Sequence, residues 1–442
     1  MLFDNKALKK LIIPLVVEQL LVITVGFADT VMVASVGEAA VSAVSLVDAI
    51  NILLINIFAA LGTGGAVVAA QFIGQGSKDK AKYSAKQLIL ITALLSVIIM
   101  VIVIAFNVPL LHMVFGNVEV DVIKNAEIYF LFSAMSYPFI ALYNSGAALF
   151  RAIGNSKISM INSAVMNVIN IILNAIFIFV FRWGVFGAVL ATLIARAVAC
   201  IVILKMLSHR DNDVCVNDYL HWKFDFMYIK KILAIGIPSG LENGMFQLGK
   251  ILVQSLIATF GTYSIAANAV SNNLAQMQII PGMAMSLAMV TVVGQCVGAN
   301  DYKQAKYYVK KLLKITYLSM AGLIVVLIIA TPSILTFYSL SKETTDLAYQ
   351  CIFLHAIIAA LIWPTSFTFP NALRAANDAK FTMIVSAASM LIFRLCFSYV
   401  LGQYMNLGLI GVWIAMFIDW GVRCIFFIWR YFSGKWMNRQ LV

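Results

Sequence analysis

Charge is scarce in this sequence. Asp, Glu, Lys and Arg make up 11% of its 442 residues and apolar residues 62%, where ordinary soluble domains hold about 25% charged and roughly 45–50% apolar residues. With a mean hydropathy of +0.95, the chain carries more apolar surface than a water-soluble core can absorb. At roughly 20 apolar residues per bilayer crossing, the hydrophobic runs also leave no stretch long enough for a separate soluble domain. Cysteine is equally uninformative: there are six, without a CxxC pair and mostly inside apolar segments, so neither a metal site nor a disulfide framework is indicated. No HExxH, GxSxG, paired-carboxylate motif or nucleotide-binding loop occurs, which argues against a membrane enzyme and against catalytic residues or a cofactor. The missing Walker A sequence excludes ATP hydrolysis by this chain alone.

Basic residues outnumber acidic ones, 31 to 19, for a net charge of +12. A nucleic-acid binder gathers its basic residues on one face. Here they occupy short loops between apolar runs, so topology explains them and no nucleic acid is expected. Spanning helices are predicted near 11–34, 46–71, 83–106, 125–148, 159–181, 185–207, 232–257, 266–293, 307–330, 347–370, 382–404 and 408–431. The first run is too long for a signal-peptide core and is expected to stay as the first crossing. Lys6, Lys9 and Lys10, Lys78 to Lys86, Arg151 and Lys157, Lys205 to Lys231 with Arg210, Lys303 to Lys314, Arg374 and Lys380, and Arg430 to Arg439 all fall on one side. Only Lys124, Arg182 and Lys342 fall on the other. The positive-inside rule then places both termini in the cytoplasm, as twelve crossings require.

The sequence also repeats itself at an offset of 223 or 224 residues. Pro14 and Glu18 align with Pro238 and Glu242. Gln71, Gly74, Ala81, Lys82, Tyr83 and Lys86 align with Gln295, Gly298, Ala305, Lys306, Tyr307 and Lys310. Arg151, Ala152, Lys157 and Met160 align with Arg374, Ala375, Lys380 and Met383, and Gly184, Gly187 and Ala191 with Gly408, Gly411 and Ala415. The expected architecture is an all-α membrane protein of twelve transmembrane helices in two pseudo-symmetric six-helix bundles, a parallel repeat whose lobes can rock about a central cavity. Residues 1–207 form the N-terminal lobe, 208–228 a cytoplasmic linker and 229–442 the C-terminal lobe.

Several short motifs fit one family. Asp29-Thr30-Val31-Met32-Val33-Ala34 follows Pro14 by fifteen residues. Gln71-Phe72-Ile73-Gly74-Gln75-Gly76 is echoed by Gly294-Gln295-Cys296-Val297-Gly298-Ala299, and Arg151-Ala152-Ile153-Gly154-Asn155 precedes the fifth helix. Together they resemble the multidrug and toxic compound extrusion family along essentially the entire chain. The resemblance implies a cation site in the N-terminal lobe at Asp29, Asn170, Asn174 and Thr192. Asn174 stands where that family usually has aspartate, leaving Asp29 as the only carboxylate of the group. It also implies a seventh-helix glutamate, Glu242, whose tenth-helix aspartate partner has no counterpart here.

Physical chemistry weighs the same residues independently. A carboxylate inside the bilayer costs on the order of 3 kcal/mol even on lenient scales, so Asp29, Glu18 and Glu242 are functional candidates. A carboxylate closed off from water favours its protonated form and one facing water its charged form, so alternating exposure could load and release a proton. Asn170, Asn174 and Thr192 offer hard oxygen ligands that would equally suit Na⁺, although they could instead join helices by hydrogen bonds. Pro14 and Pro238 are candidate hinges. Asn268, Asn272 and Gln276 form a polar stripe at helical spacing and, with Glu18 and mid-helix Arg196, which is expected near the N-lobe carboxylates, are candidates to line the cavity. Asp419 and Arg423 are spaced to pair; Lys250, His355 and Arg394 receive no role. The function these features point to is antiport of cationic or amphipathic organic compounds against H⁺ or Na⁺, by a monomer in contact with membrane lipids. The alternative is a flippase for a lipid-linked or polysaccharide precursor, which would need several inward Arg or Lys residues for pyrophosphate.

Overall fold

The computed structural model describes residues 2–115, 120–209, 212–217, 223–336, 338 and 340–438. Arg210, Arg439 and part of the expected 208–228 linker lie outside the described residues. Lipid offers the backbone no hydrogen-bond partner, so each apolar run closes its own amide ladder as a helix. In chain order these are α1 (Asn5–Ala34), α2 (Glu38–Gly74), α3 (Lys78–Ala105), α4 (Asn107–Phe115), α5 (Val120–Met135), α6 (Tyr137–Ala152), α7 (Ser156–Ala175) and α8 (Gly184–Leu207). There follow α9 (Phe226–Ala258), α10 (Thr262–Gln278), α11 (Ile280–Gly298), α12 (Tyr302–Thr336), α13 (Lys342–Trp363), α14 (Pro370–Ala375), α15 (Ala379–Ser389) and α16 (Gly408–Phe432).

Ten spans among the described residues are long and apolar enough to cross a membrane, and α5 with α6, bent by 45°, supply an eleventh. The twelfth expected crossing is α9, which is 33 residues long. It falls short on composition because Glu242, Asn243, Gln247, Lys250 and Gln254 interrupt its apolar face. Exposed Val97, Ile98, Val101 and Ile102 on α3 and Val325, Val326 and Ile329 on α12 are the outward side chains that a lipid solvent accommodates and water would not.

The chain divides into two compact units, Phe3–Gly240 and Leu241–Val442 together with Met1–Leu2, and the division falls within α9. In the first, α2 packs against α3, α5 and α6, and α7 lies against α1 and α8. Small residues permit close approach: a Cβ on Gly65 would meet the Leu88 side chain and one on Gly146 the Ile203 side chain. In the second, α10, α13 and α16 enclose a core around Trp363, Trp413, Phe417 and Trp420, and α11 is almost wholly buried.

The repeat is visible in backbone detail. Gly37 and Gly261, 224 residues apart, both take positive φ just before α2 and α10. Arg182 and Gly184 have φ of 55° and 54°, and Asn406 and Gly408 both 56°. The Trp183 amide donates to the Phe177 carbonyl at 2.9 Å, and the Leu407 amide to the Leu401 carbonyl at 3.2 Å. These turns follow wide π-helical segments, Ile176–Val180 and Ser398–Tyr404. The second unit carries two further π segments, Pro364–Thr368 between α13 and α14 and Met390–Cys396 directly after α15. Met390–Cys396 lies in the stretch where the offset passes from 223 at Met160 and Met383 to 224 at the following turn.

Candidate functional site

Pro14 sits inside α1 without ending it. Proline cannot donate to the carbonyl four residues back; the Ser156 hydroxyl approaches that carbonyl, of Lys10, at 3.4 Å and donates to the Leu11 carbonyl at 2.6 Å. Four turns further on, α1 presents Asp29. The Asn174 amide donates to Asp29 Oδ1 at 2.8 Å. The Asn170 amide nitrogen reaches Asp29 Oδ1 and Oδ2 at 2.8 and 3.1 Å, while its oxygen accepts from Thr192 Oγ1 at 3.1 Å. The four residues expected to form one group therefore meet, because the i, i+4 spacing of Asn170 and Asn174 puts both on the face of α7 turned toward α1. Asn174 Oδ1 is buried without a hydrogen-bond partner.

Sequence reasoning missed a second carboxylate. Asp48, on α2, accepts from Asn51 Nδ2 at 3.2 Å and from the Tyr129 hydroxyl at 3.3 Å. Asn51 in turn accepts from the Tyr137 hydroxyl at 2.8 Å. Arg196 donates to Ser136 Oγ at 2.7 Å and acts electrostatically on both Asp29 and Asp48. The signal was present, since Asp48 lies inside the expected second helix and the intramembrane-carboxylate rule applied to it as to Asp29. Asp29, Asp48, Tyr129, Asn174 and Thr192 line a cavity of about 170 Å³. That volume suits a hydrated ion or a few waters and falls below the roughly 300 Å³ at which small-molecule pockets begin. Two carboxylates against one guanidinium leave it net negative. Among the described residues, no three His, Cys, Asp or Glu side chains cluster as a metal site would require.

Glu18 and Glu242 lie elsewhere. Glu18 Oε1 meets Arg151 Nη1 at 3.1 Å, and its Oε2 accepts from Ser159 at 2.8 Å. Glu242 Oε1 meets Arg374 Nη2 at 2.7 Å. Since Arg151 and Arg374 are themselves repeat partners, one ion pair is built twice. Pro238 is inside α9, as Pro14 is inside α1. Asn268 is buried, donating to Gln254 at 2.9 Å and accepting from the Trp413 indole at 3.1 Å. Asn272 and Gln276, one and two turns on, are exposed. Asp419 and Arg423 pair at 2.8 Å.

The MatE family profile matches this chain twice, over residues 14–176 and 238–400. The chain belongs to the MatE family. Both ends of the second match are displaced from the first by 224 residues, the spacing of the internal repeat. The chain is 28% identical to the uncharacterized transporter YisQ of Bacillus subtilis, over 97% of this chain and 94% of that relative. It is 25% identical to a probable multidrug resistance protein NorM of Thermotoga maritima, over 99% and 94% respectively. Among solved structures, the outward-facing conformation of a multidrug resistance MATE family transporter of the MOP superfamily superposes with a TM-score of 0.91. Identity there is 21%, covering 98% of this chain and 97% of that one. This MatE chain is thus a multi-pass membrane transporter with the two-lobe helical fold of that family.

Proposed function

We propose that this protein is a secondary active antiporter that exports cationic or amphipathic small organic compounds in exchange for H⁺ or Na⁺. The observation that carries the reading is the ion-sized cavity of about 170 Å³ in which Asp29 is held by Asn170 and Asn174, with Asp48 beside it. An amide can turn. With its nitrogen toward Asp29, Asn170 donates to the ionised carboxylate; turned over, its oxygen accepts a proton carried by a neutral carboxyl at the same separation. Asp29 can therefore exchange a proton without losing its partner. The oxygens of Asp29, Asn170, Asn174 and Thr192 would serve Na⁺ instead. Pro14 lets α1 bend below Asp29, which allows a conformational cycle to expose the cavity to each side of the membrane in turn. Relatives named as multidrug resistance proteins support the cargo class.

The same reading places the protein in the plasma membrane as a monomer with both termini in the cytoplasm. Residues 1–207 and 229–442 act as the moving lobes and 208–228 links them. Glu18 and Glu242, each held by an arginine, serve the lobes' structure in this account. The test is dye or fluoroquinolone uptake into inverted vesicles energised separately by a proton and a sodium gradient. Uptake driven by one gradient and abolished by its ionophore is the expected result. Uptake indifferent to both gradients would refute antiport.

A further inference from the structure

The two lobes share a backbone plan, yet the second reverses the charge of the first. Carrying the repeat register across, cavity-lining Gly26 becomes Lys250, Asp29 becomes Val253, Asp48 becomes Asn272 and Thr192 becomes Met416. In the register that holds at the helix end, Asn170 becomes Arg394, which sits within the π-helical segment Met390–Cys396.

Lys250, Arg394 and Arg423 converge on one ring. Their charged ends lie 4.9, 5.2 and 5.5 Å from the centre of Phe246, and Arg423 also lies 5.4 Å from that of Phe367. Asp419 is the carboxylate that acts on Arg394 and pairs with Arg423. Its Oδ1 is taken by Arg423 Nε at 2.8 Å and Ser389 Oγ at 2.5 Å, and its Oδ2 is buried without a partner. His355 is close by, held at 2.6 Å by Gln278. Among the described residues, nothing accepts a hydrogen bond from the Lys250 ammonium or the Arg394 guanidinium. Arg394 is 8% exposed, with its Nε buried and unpartnered. Lys250 and Arg394, intramembrane cations without a hydrogen-bond acceptor among the described residues, form an arrangement that neutral packing would not retain, since intramembrane ionisable groups are costly and mark ligand pathways.

We propose that Lys250 and Arg394 bind an anionic oxygen group, carboxylate or phosphate, of an aromatic or amphipathic compound. Arg394 presents a fork suited to such a group, Lys250 a point charge, and half-buried Phe246 offers an aromatic side chain for the attached ring. The inference rests on the transporter reading, and it assigns the recognition of a cargo's anionic end to Lys250 and Arg394.

Norfloxacin and its methyl ester share the aromatic system and the piperazinium and differ only in the carboxylate. Calorimetric titration of the full-length detergent-purified protein should show the acid binding about tenfold or more tighter than the ester. Lys250→Met and Arg394→Met should each remove that preference, while Arg394→Lys retains part of it. Dihexanoyl phosphatidic acid against dihexanoyl phosphatidylcholine forms a second arm. Phosphate binding lost in both Met variants, with norfloxacin unaffected, assigns the same site to a lipid headgroup. Equal affinity of the wild-type protein for acid and ester, with no preference for phosphatidic acid, overturns the proposal without needing any variant. Anion binding that survives both Met substitutions overturns it too. Gradient-driven uptake of the ester tests the antiport reading separately, so failure of one is distinguishable from failure of the other.

Discussion

Removing the Glu242 charge should cost the second unit stability and leave ion coupling intact. Glu242 is 9% exposed, and its Oε1 is 2.7 Å from Arg374 Nη2. At an effective dielectric near 20, that separation corresponds to a gross attraction of about 6 kcal/mol. Desolvation of both groups offsets most of it, so the intact pair contributes little net. Breaking it is different, because Glu242→Gln strands the Arg374 guanidinium, whose Nε is already unpartnered, at a cost of about 3–5 kcal/mol. For a unit of this size that is a fall in melting temperature of roughly 6–20 °C. The double variant Glu242→Gln/Arg374→Met should recover most of the loss, and Glu18→Gln with Arg151→Met should behave alike in the other unit. The assay is thermal unfolding of detergent-purified protein set beside vesicle uptake normalised to folded protein. If Glu242→Gln melts like the parent and abolishes uptake, the structural assignment is wrong and Glu242 belongs to the coupling machinery.

Other consequences follow from individual contacts. Asp48→Asn should reduce gradient-driven uptake several-fold with little change in melting, because Asp48 shares the cavity and the Arg196 field with Asp29. Gly411→Ala would place a Cβ 2.7 Å from the Leu401 carbonyl; backbone cannot swing aside, so thermal unfolding should show a loss of about 1–3 kcal/mol. Asp301 caps α12, accepting from the Gln304 amide at 2.9 Å and its side chain at 2.7 Å, and these bonds hold its carboxyl below the usual 3.8. A depressed acid contributes stability above its unfolded value and loses it as pH falls through the folded one. The melting difference between the parent and Asp301→Ala should therefore be present at neutral pH and close on acidification below 3.8.

The fold was legible because each crossing is a long apolar run with basic residues at one end, and because the repeat fixes where the second half begins. The bend between α5 and α6 was not, since Met135–Ser136–Tyr137 carries no glycine and its neighbour Pro138 can begin a helix as readily as break one. Asp29, Asn170, Asn174 and Thr192 could be grouped because a motif and an i, i+4 spacing pointed to them. Asp48 obeyed the same physical rule but belonged to no motif. The arginine partners of Glu18 and Glu242 lie more than a hundred residues away in sequence, and only the simultaneous repetition of both members could have paired them. The Lys250, Arg394 and Arg423 cluster draws one residue from each of three helices, so no spacing reveals it. It emerges only when the three side chains are found around the Phe246 ring.

The central claim is that Asp29 trades a small cation for cargo, and Asp29→Asn tests it most directly. Asparagine keeps the size and one hydrogen-bonding oxygen but can neither carry a proton nor balance a bound cation. Uptake into inverted vesicles energised by the effective gradient should fall to the de-energised level, with folded protein and melting temperature unchanged. Uptake that persists at the parental rate and still responds to the gradient would contradict the account.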